Sequence, residues 1–286
     1  MPSQPPSSRN LDGDPRPWLA ATAGPLVQQG LPMRDALQAI AAMGYRQVQW
    51  PATLEGLRPR DLDATARRGV RSDLVRTELA LAGVDVWIPT GHLLERETLD
   101  RAVGALIAAI EFAAALAGRS PTRPVVSTQF PTIAERTAAG NAGAALAEAI
   151  AAVASIGDRH GIDVVDHAVG APGPLAWGLD PVLAIAASRD PVQLLVAAEP
   201  GRGRLRSVRL ADLMRSGLRG PIGEPGDARL DVTALQAALD VIGFDDPPVA
   251  DARQWRDPAA GLARTVERWC GRPIAAPSRT TGKEKG

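Results

Sequence analysis

The chain has 286 residues with 32 basic and 32 acidic side chains, and its hydrophobic and charged fractions are 45% and 22%. Those values fit a globular chain of one large or two small domains and exclude wholesale disorder. Zero net charge removes the usual warrant for a nucleic-acid or anionic-membrane surface, and the single cysteine, Cys270, excludes an internal disulfide framework or a CxxC metal site.

Residues 1–17 are rich in Pro, Ser and Asp and lack the apolar centre of a signal peptide, so they read as a disordered tail. A weak β run, Leu19–Thr22, follows, and then a helical period over Met33–Met43 that stops at Gly44. Gln47–Pro51 reads as a strand, and Pro59–Leu81 as a helix with Gly83 as its terminator. Arg and Asp alternate through Arg58–Arg76, which marks a solvated face and not a DNA-binding stripe. Val84–Pro89 and Pro124–Phe130 are strand runs separated by a helix over Glu97–Ala117, ending at Gly118. A single long helix is predicted over Ile133–His160, ended by Gly161. Strand runs at Ile162–Ala168 and Leu175–Leu179 come next, then a short helix over Pro181–Ala187 and a strand at Leu205–Leu210. Asp231 and Asp257 stand as N-caps of helices over Val232–Ile242 (ended by Gly243) and Pro258–Trp269, with the strand Pro248–Ala252 between them. Residues 272–286 read as a second disordered tail. No uncharged apolar run approaches 18 residues, so no membrane partner is expected, and a reducing cytoplasmic location is the default.

Seven clear β runs and one weak one, spaced by helices, predict a single α/β domain over 18–271: a (β/α)8 TIM barrel. An open doubly wound sheet would carry a glycine-rich phosphate turn after its first strand; none follows any strand here, and Gly201-Arg202-Gly203 is a lone polar turn. Two irregularities are expected, at the weak first strand and between the fifth and sixth, where Val165 and Trp177 leave no room for a packed helix.

The order of motifs resembles the sugar phosphate isomerase/epimerase family, the xylose isomerase-like TIM barrels. The likeness rests on MRDALQAIAAMGYRQVQW (Met33–Trp50), DVWIP (Asp85–Pro89), WGLDP (Trp177–Pro181), SVRLAD (Ser207–Asp212) and Pro221–Arg253. It implies a small sugar-like substrate, and a divalent metal (Mn²⁺, Mg²⁺ or Zn²⁺) at the C-terminal mouth, held by Glu, Asp, His and Glu from strands five to eight. Such a metal polarises a ketose carbonyl while a carboxylate moves a proton on the neighbouring carbon. Carried over, the ligand positions are Asp166, Asp180 and Asp251, with Arg209 where the imidazole belongs and Gln49 where many relatives carry Glu. Asp166 and Asp251 would then act in catalysis, while Arg209, Asp180, Arg253 and His92 bind substrate. The site is degenerate: Asp is shorter than Glu, and a guanidinium has no lone pair to donate and repels a metal. No tightly bound ion is therefore expected. His167 could replace the imidazole, but if Asp166 faces the lumen, strand alternation turns His167 toward the helices.

Several readings remain open on the residues alone. The four polar strand-end residues are either a ligand pocket or an interior salt-bridge network. The chain is accordingly an isomerase or epimerase acting by carboxylate-mediated proton transfer, a metal-free binding or regulatory barrel that has lost the chemistry, or a lyase or hydrolase that clamps an acidic substrate on Arg209. Asp212 and Arg253 line the mouth or form loop salt bridges. Trp50, Trp87 and Trp177 are sugar-stacking walls or core, with core the default. His92 sits at the rim or on the open surface.

Overall fold

The structure is a computed structural model that describes residues 18–117, 122–169, 173–197, 204–224 and 226–271. The expectations for the two tails, Gly118 and the 201–203 turn lie outside the described residues.

Seven strands come first in the chain: β1 (Ala20–Thr22), β2 (Gln47–Pro51), β3 (Ala80–Asp85), β4 (Val125–Thr128), β5 (Asp163–Asp166), β6 (Ala176–Leu179) and β7 (Leu205–Leu210). A two-stranded ribbon, β8 (Asp212–Leu213) and β9 (Arg219–Gly220), precedes the closing strand β10 (Val249–Ala250). β1 to β7 and β10 form one closed, wholly parallel barrel in chain order, as predicted. The weakly marked first strand is short but complete. Ala20 pairs with Gln47 on one side and Val249 on the other. The Thr22 hydroxyl fastens the seam, donating to the Ala250 carbonyl at 3.3 Å and accepting from the Ala252 amide at 3.0 Å. Small alanines let this strand close the cylinder without a bulky inward side chain.

The outer layer holds α1 (Gly24–Gln28), α2 (Met33–Ala42), α3 (Ala64–Arg76), α4 (Thr90–Leu94), α5 (Arg96–Leu116), α6 (Ile133–Ala138), α7 (Asn141–His160), α8 (Pro181–Ala186), α9 (Pro191–Val196), α10 (Val232–Val241) and α11 (Pro258–Cys270). As expected, β5 passes to β6 without an intervening helix among the described residues. Asp231 and Asp257 cap their helices, accepting from the amides of Ala234 and Ala260. α1, α4 and α9 are too short to show a period in sequence.

Three predicted boundaries are corrected. The long helix over Ile133–His160 breaks at Gly140 (φ 56°), so that α6 can fold against α7. The helix expected from Pro59 opens with a 3-10 turn, Pro59–Asp61, and α3 begins only after Asp63, whose carboxylate accepts from the Ala66 amide at 2.7 Å. Gly83 ends no helix; it lies inside β3, shifting that strand four residues earlier than its apolar run suggested. Its role is close approach. A Cβ there would fall 2.5 Å from the Val125 carbonyl oxygen in β4. Gly83→Ala should therefore force the two strands apart and cost about 1–3 kcal/mol, read as a lowered denaturant midpoint at unchanged slope.

The core lies between strands and helices and is built from Leu, Val, Ile and Ala with few rings. Trp50 packs on Phe112 and donates to the Leu57 carbonyl, and Trp177 joins the same core, as the default reading had it. At the N-terminal end of the barrel Arg206 is buried against the carboxylates of Asp163 and Asp246 and donates to the Arg123 carbonyl at 3.1 Å. That end is where barrels keep stability and not chemistry.

Candidate functional site

The C-terminal mouth is organised by Arg209, which is fully buried. It occupies the penultimate position of β7 and crosses the lumen. One terminal nitrogen donates to Asp85 at 2.6 Å and to the Ser127 hydroxyl at 3.0 Å. The other lies 3.5 Å from the Gln49 side-chain oxygen and 3.3 Å from Asp251. One side chain therefore ties β2, β3, β4 and the residue following β10.

Asp251 is the centre of the cluster, fully buried and surrounded by three guanidinium groups. Arg219, on β9, donates to it at 2.6 Å, and the Arg253 Nε does so at 2.8 Å. Burial alone would raise the Asp251 pKa, but Arg253, Arg219 and Arg209 outweigh it and hold the carboxyl well below its usual range. Burial likewise opposes the charge on Arg253, and Asp251 and Asp85 overcome it, holding this guanidinium charged more firmly than usual. Arg253 also lies flat on Trp87, 3.5 Å from the ring centroid, a cation–π contact that fixes its plane. Trp87 is thus a wall of the mouth, unlike Trp50 and Trp177.

Asp180 directly follows β6 and does two things. One oxygen caps α8, accepting from the Val182 amide at 3.0 Å, and the other lies 3.0 Å from Arg219. The cluster thus contains Asp85, Asp180 and Asp251 against Arg209, Arg219 and Arg253. It is a balanced set of three and three.

Of the predicted site residues, the structure brings together Asp180, Arg209, Asp251 and Arg253. It does not bring Asp166 to them. The Asp166 carboxylate instead accepts the backbone amides of Phe130 at 3.1 Å and Ala168 at 2.8 Å, binding the loop ends after β4 and β5. Burial raises its pKa, against those two amides and Arg136. The alternation expected on β5 holds, but with the faces reversed. His167 points into the lumen, 2.7 Å from the Ser127 hydroxyl, with its ring over Gly178. A Cβ at 178 would lie 2.5 Å from that ring, so only glycine leaves room for the imidazole there. Burial, and then the charges of Arg209 and Arg253, push the His167 pKa well below its ordinary value and keep the ring neutral.

Asp212 forms no salt bridge among the described residues; its oxygens accept the amides of Leu213, Arg229 and Leu230 and shape the loop behind the ribbon. His92 is exposed on α4 and makes no hydrogen bond or ion pair with the cluster among the described residues. Sequence reasoning passed over Asp85, Ser127 and Arg219.

These residues do not fit the metal that the motif resemblance implies. Among the described residues no three His, Cys, Asp or Glu side chains are grouped to hold an ion. The position of the imidazole carries a buried guanidinium, and both oxygens of Asp251 already accept from arginines. A cation placed there would meet three fixed positive charges.

No family profile and no curated protein sequence matches this chain. Solved structures do. A sugar phosphate isomerase/epimerase from Parabacteroides distasonis is 15% identical, with 93% of this chain and 96% of that one covered at a TM-score of 0.61. A xylose isomerase-like TIM barrel protein from Mycobacterium smegmatis, solved with magnesium, is 12% identical over 88% and 95% at 0.64. A D-psicose 3-epimerase from Clostridium cellulolyticum, solved with D-tagatose, is 12% identical over 84% and 92% at 0.62. At such identities the shared property is the fold: a xylose isomerase-like (β/α)8 barrel.

Proposed function

We propose that this chain is a sugar phosphate isomerase/epimerase-like barrel that holds a small sugar or polyol derivative at its C-terminal mouth without metal-assisted proton transfer. Its fold neighbours include proteins described as sugar isomerases and epimerases, which supports the choice of a sugar-like ligand. The observation that carries the binding reading is the set of three guanidinium groups on Asp251. A general base must give and take a proton near the working pH. A carboxylate held far below its usual pKa by three cations does so poorly, and Asp166 faces loop amides instead of the lumen. Both side chains assigned to proton transfer by the motif resemblance are therefore ill placed for it, and binding is favoured over isomerisation.

The test is solvent exchange. Purified protein is incubated in D₂O with a panel of ketoses, aldoses and polyols, with and without Mn²⁺, and followed by NMR. The expected result is ligand line broadening with no deuterium entering the carbon next to the carbonyl. Deuterium incorporation that depends on Mn²⁺ would restore the isomerase reading.

A further inference from the structure

The cluster that closes the barrel leaves an uneven set of buried polar atoms without partners. On the donor side are the Nε atoms of Arg209 and Arg219, a terminal nitrogen of Arg253 and the amide nitrogen of Gln49; His167 Nδ1, on the ring that bonds Ser127, is unpartnered as well, and on the acceptor side an Asp180 oxygen faces Arg219 as an ion pair without hydrogen-bond geometry. The three arginines meet at Asp251, and the Gln49 oxygen faces Arg209, so these atoms belong to one group. Arg209 and Gln49 are essentially inaccessible, and the Arg219 side chain is 9% exposed. A buried N–H without an acceptor is costly, so an excess of them specifies what is missing. A hydroxyl ligand brings one donor with each oxygen, against the one unpartnered carboxylate oxygen, on Asp180, that the cluster offers. A carboxylate or phosphate brings acceptors alone, in the geometry a guanidinium matches.

The three arginines also differ in how firmly they are held. Arg209 extends from a barrel strand, and Arg253, two residues past Asp251, is pinned between Trp87 and that carboxylate. Arg219 alone rides on the ribbon, whose connecting turn, residues 215–218, is exposed. Its partners can release it. Asp180 keeps the Val182 amide, and Asp251 keeps Arg209 and Arg253.

We infer that the mouth receives the acidic group of its ligand, a carboxylate or phosphate on a sugar-sized molecule, on Arg219 and Arg253, with Arg219 turning away from Asp180 to take it. This rests on the binding reading above and narrows its ligand class. Arg219 is the gate and one half of the clamp.

Calorimetry with xylitol, xylonate and xylulose phosphate separates the possibilities. At least one acid should bind about tenfold or more tightly than xylitol, the preference falling with added salt. Which acid leads identifies the oxyanion. Arg219→Gln should abolish the preference by weakening acid binding to the level of xylitol, and Arg219→Lys should restore part of it. If xylitol binds as tightly as both acids, if the preference survives Arg219→Gln, or if no probe binds, the inference is wrong. Should Arg219→Gln fail to fold, the salt dependence of the unaltered protein decides: acid binding insensitive to salt overturns the proposal. Xylitol binding alone leaves the binding reading intact, whereas Mn²⁺-dependent deuterium exchange removes that reading whichever probe binds.

Discussion

Asp251→Asn is expected to lower the stability of the barrel by about 3–5 kcal/mol, because it leaves one fully buried and two largely buried guanidinium groups facing two carboxylates. The amide oxygen of asparagine still accepts one hydrogen bond, so the loss comes from charge and not from shape. The same substitution should change the response to acid. In the folded barrel the Asp251 carboxyl is held below its unfolded value, near 3.9. Its stabilisation is present above that value and disappears as pH falls through the folded pKa. Asp166, raised by burial, works the other way: its contribution is full below the unfolded value and is lost as pH rises through its higher folded pKa. Below about pH 4 the unaltered protein should thus lose stability more steeply than Asp251→Asn. Urea denaturation at a series of acidic pH values measures both effects. Equal slopes would mean that Asp251 is not the carboxylate the arginines hold.

Arg206→Met is the second large effect, expected at about 2–4 kcal/mol, and it should leave the mouth untouched. Arg206 bridges Asp163 and Asp246 at the opposite end of the barrel. Removing it strands two partly exposed carboxylates, which water can reach, so the cost falls somewhat short of that for a fully enclosed pair. Burial raises the Asp246 pKa while Arg206 draws it down, and without the guanidinium it should rise further. Thermal unfolding should show a lowered midpoint while ligand affinity stays at the level of the parent protein. A parallel loss of affinity would show that the two ends of the barrel are coupled.

The barrel was legible because its strands are bounded by glycine or proline and its longer helices keep a clear apolar period. Local competition decided where the reading slipped. The run VDVWIP stays apolar beyond Asp85, yet β3 stops at Asp85, and Gly83 lies inside the strand in close contact with β4. Placing the strand late hid Asp85 as a strand-end residue. Ser127 stood in plain view within β4, three residues before the end of PVVSTQF, but a lone serine in a strand carries no signal until its neighbour across the lumen is an arginine. Arg219 lies on a two-residue strand without a β-branched residue, so no pattern marked it. Asp180, Arg209 and Asp251 were found because each sits at the end of a clear strand, where a barrel gathers its side chains. The facing of Asp166 and His167 could not be decided from alternation, which fixes that neighbours differ but not which one turns inward. Here Gly178 favours His167, because the missing Cβ leaves space for the ring.

Arginines, and not a metal, occupy the space between Asp180 and Asp251. Crystals grown in Mn²⁺ and measured at the manganese absorption edge test it directly. The expected map shows guanidinium density from Arg209, Arg219 and Arg253 around Asp251 and no anomalous peak within bonding distance of either carboxylate. A manganese peak shared by Asp180 and Asp251, with Arg219 displaced, would contradict it.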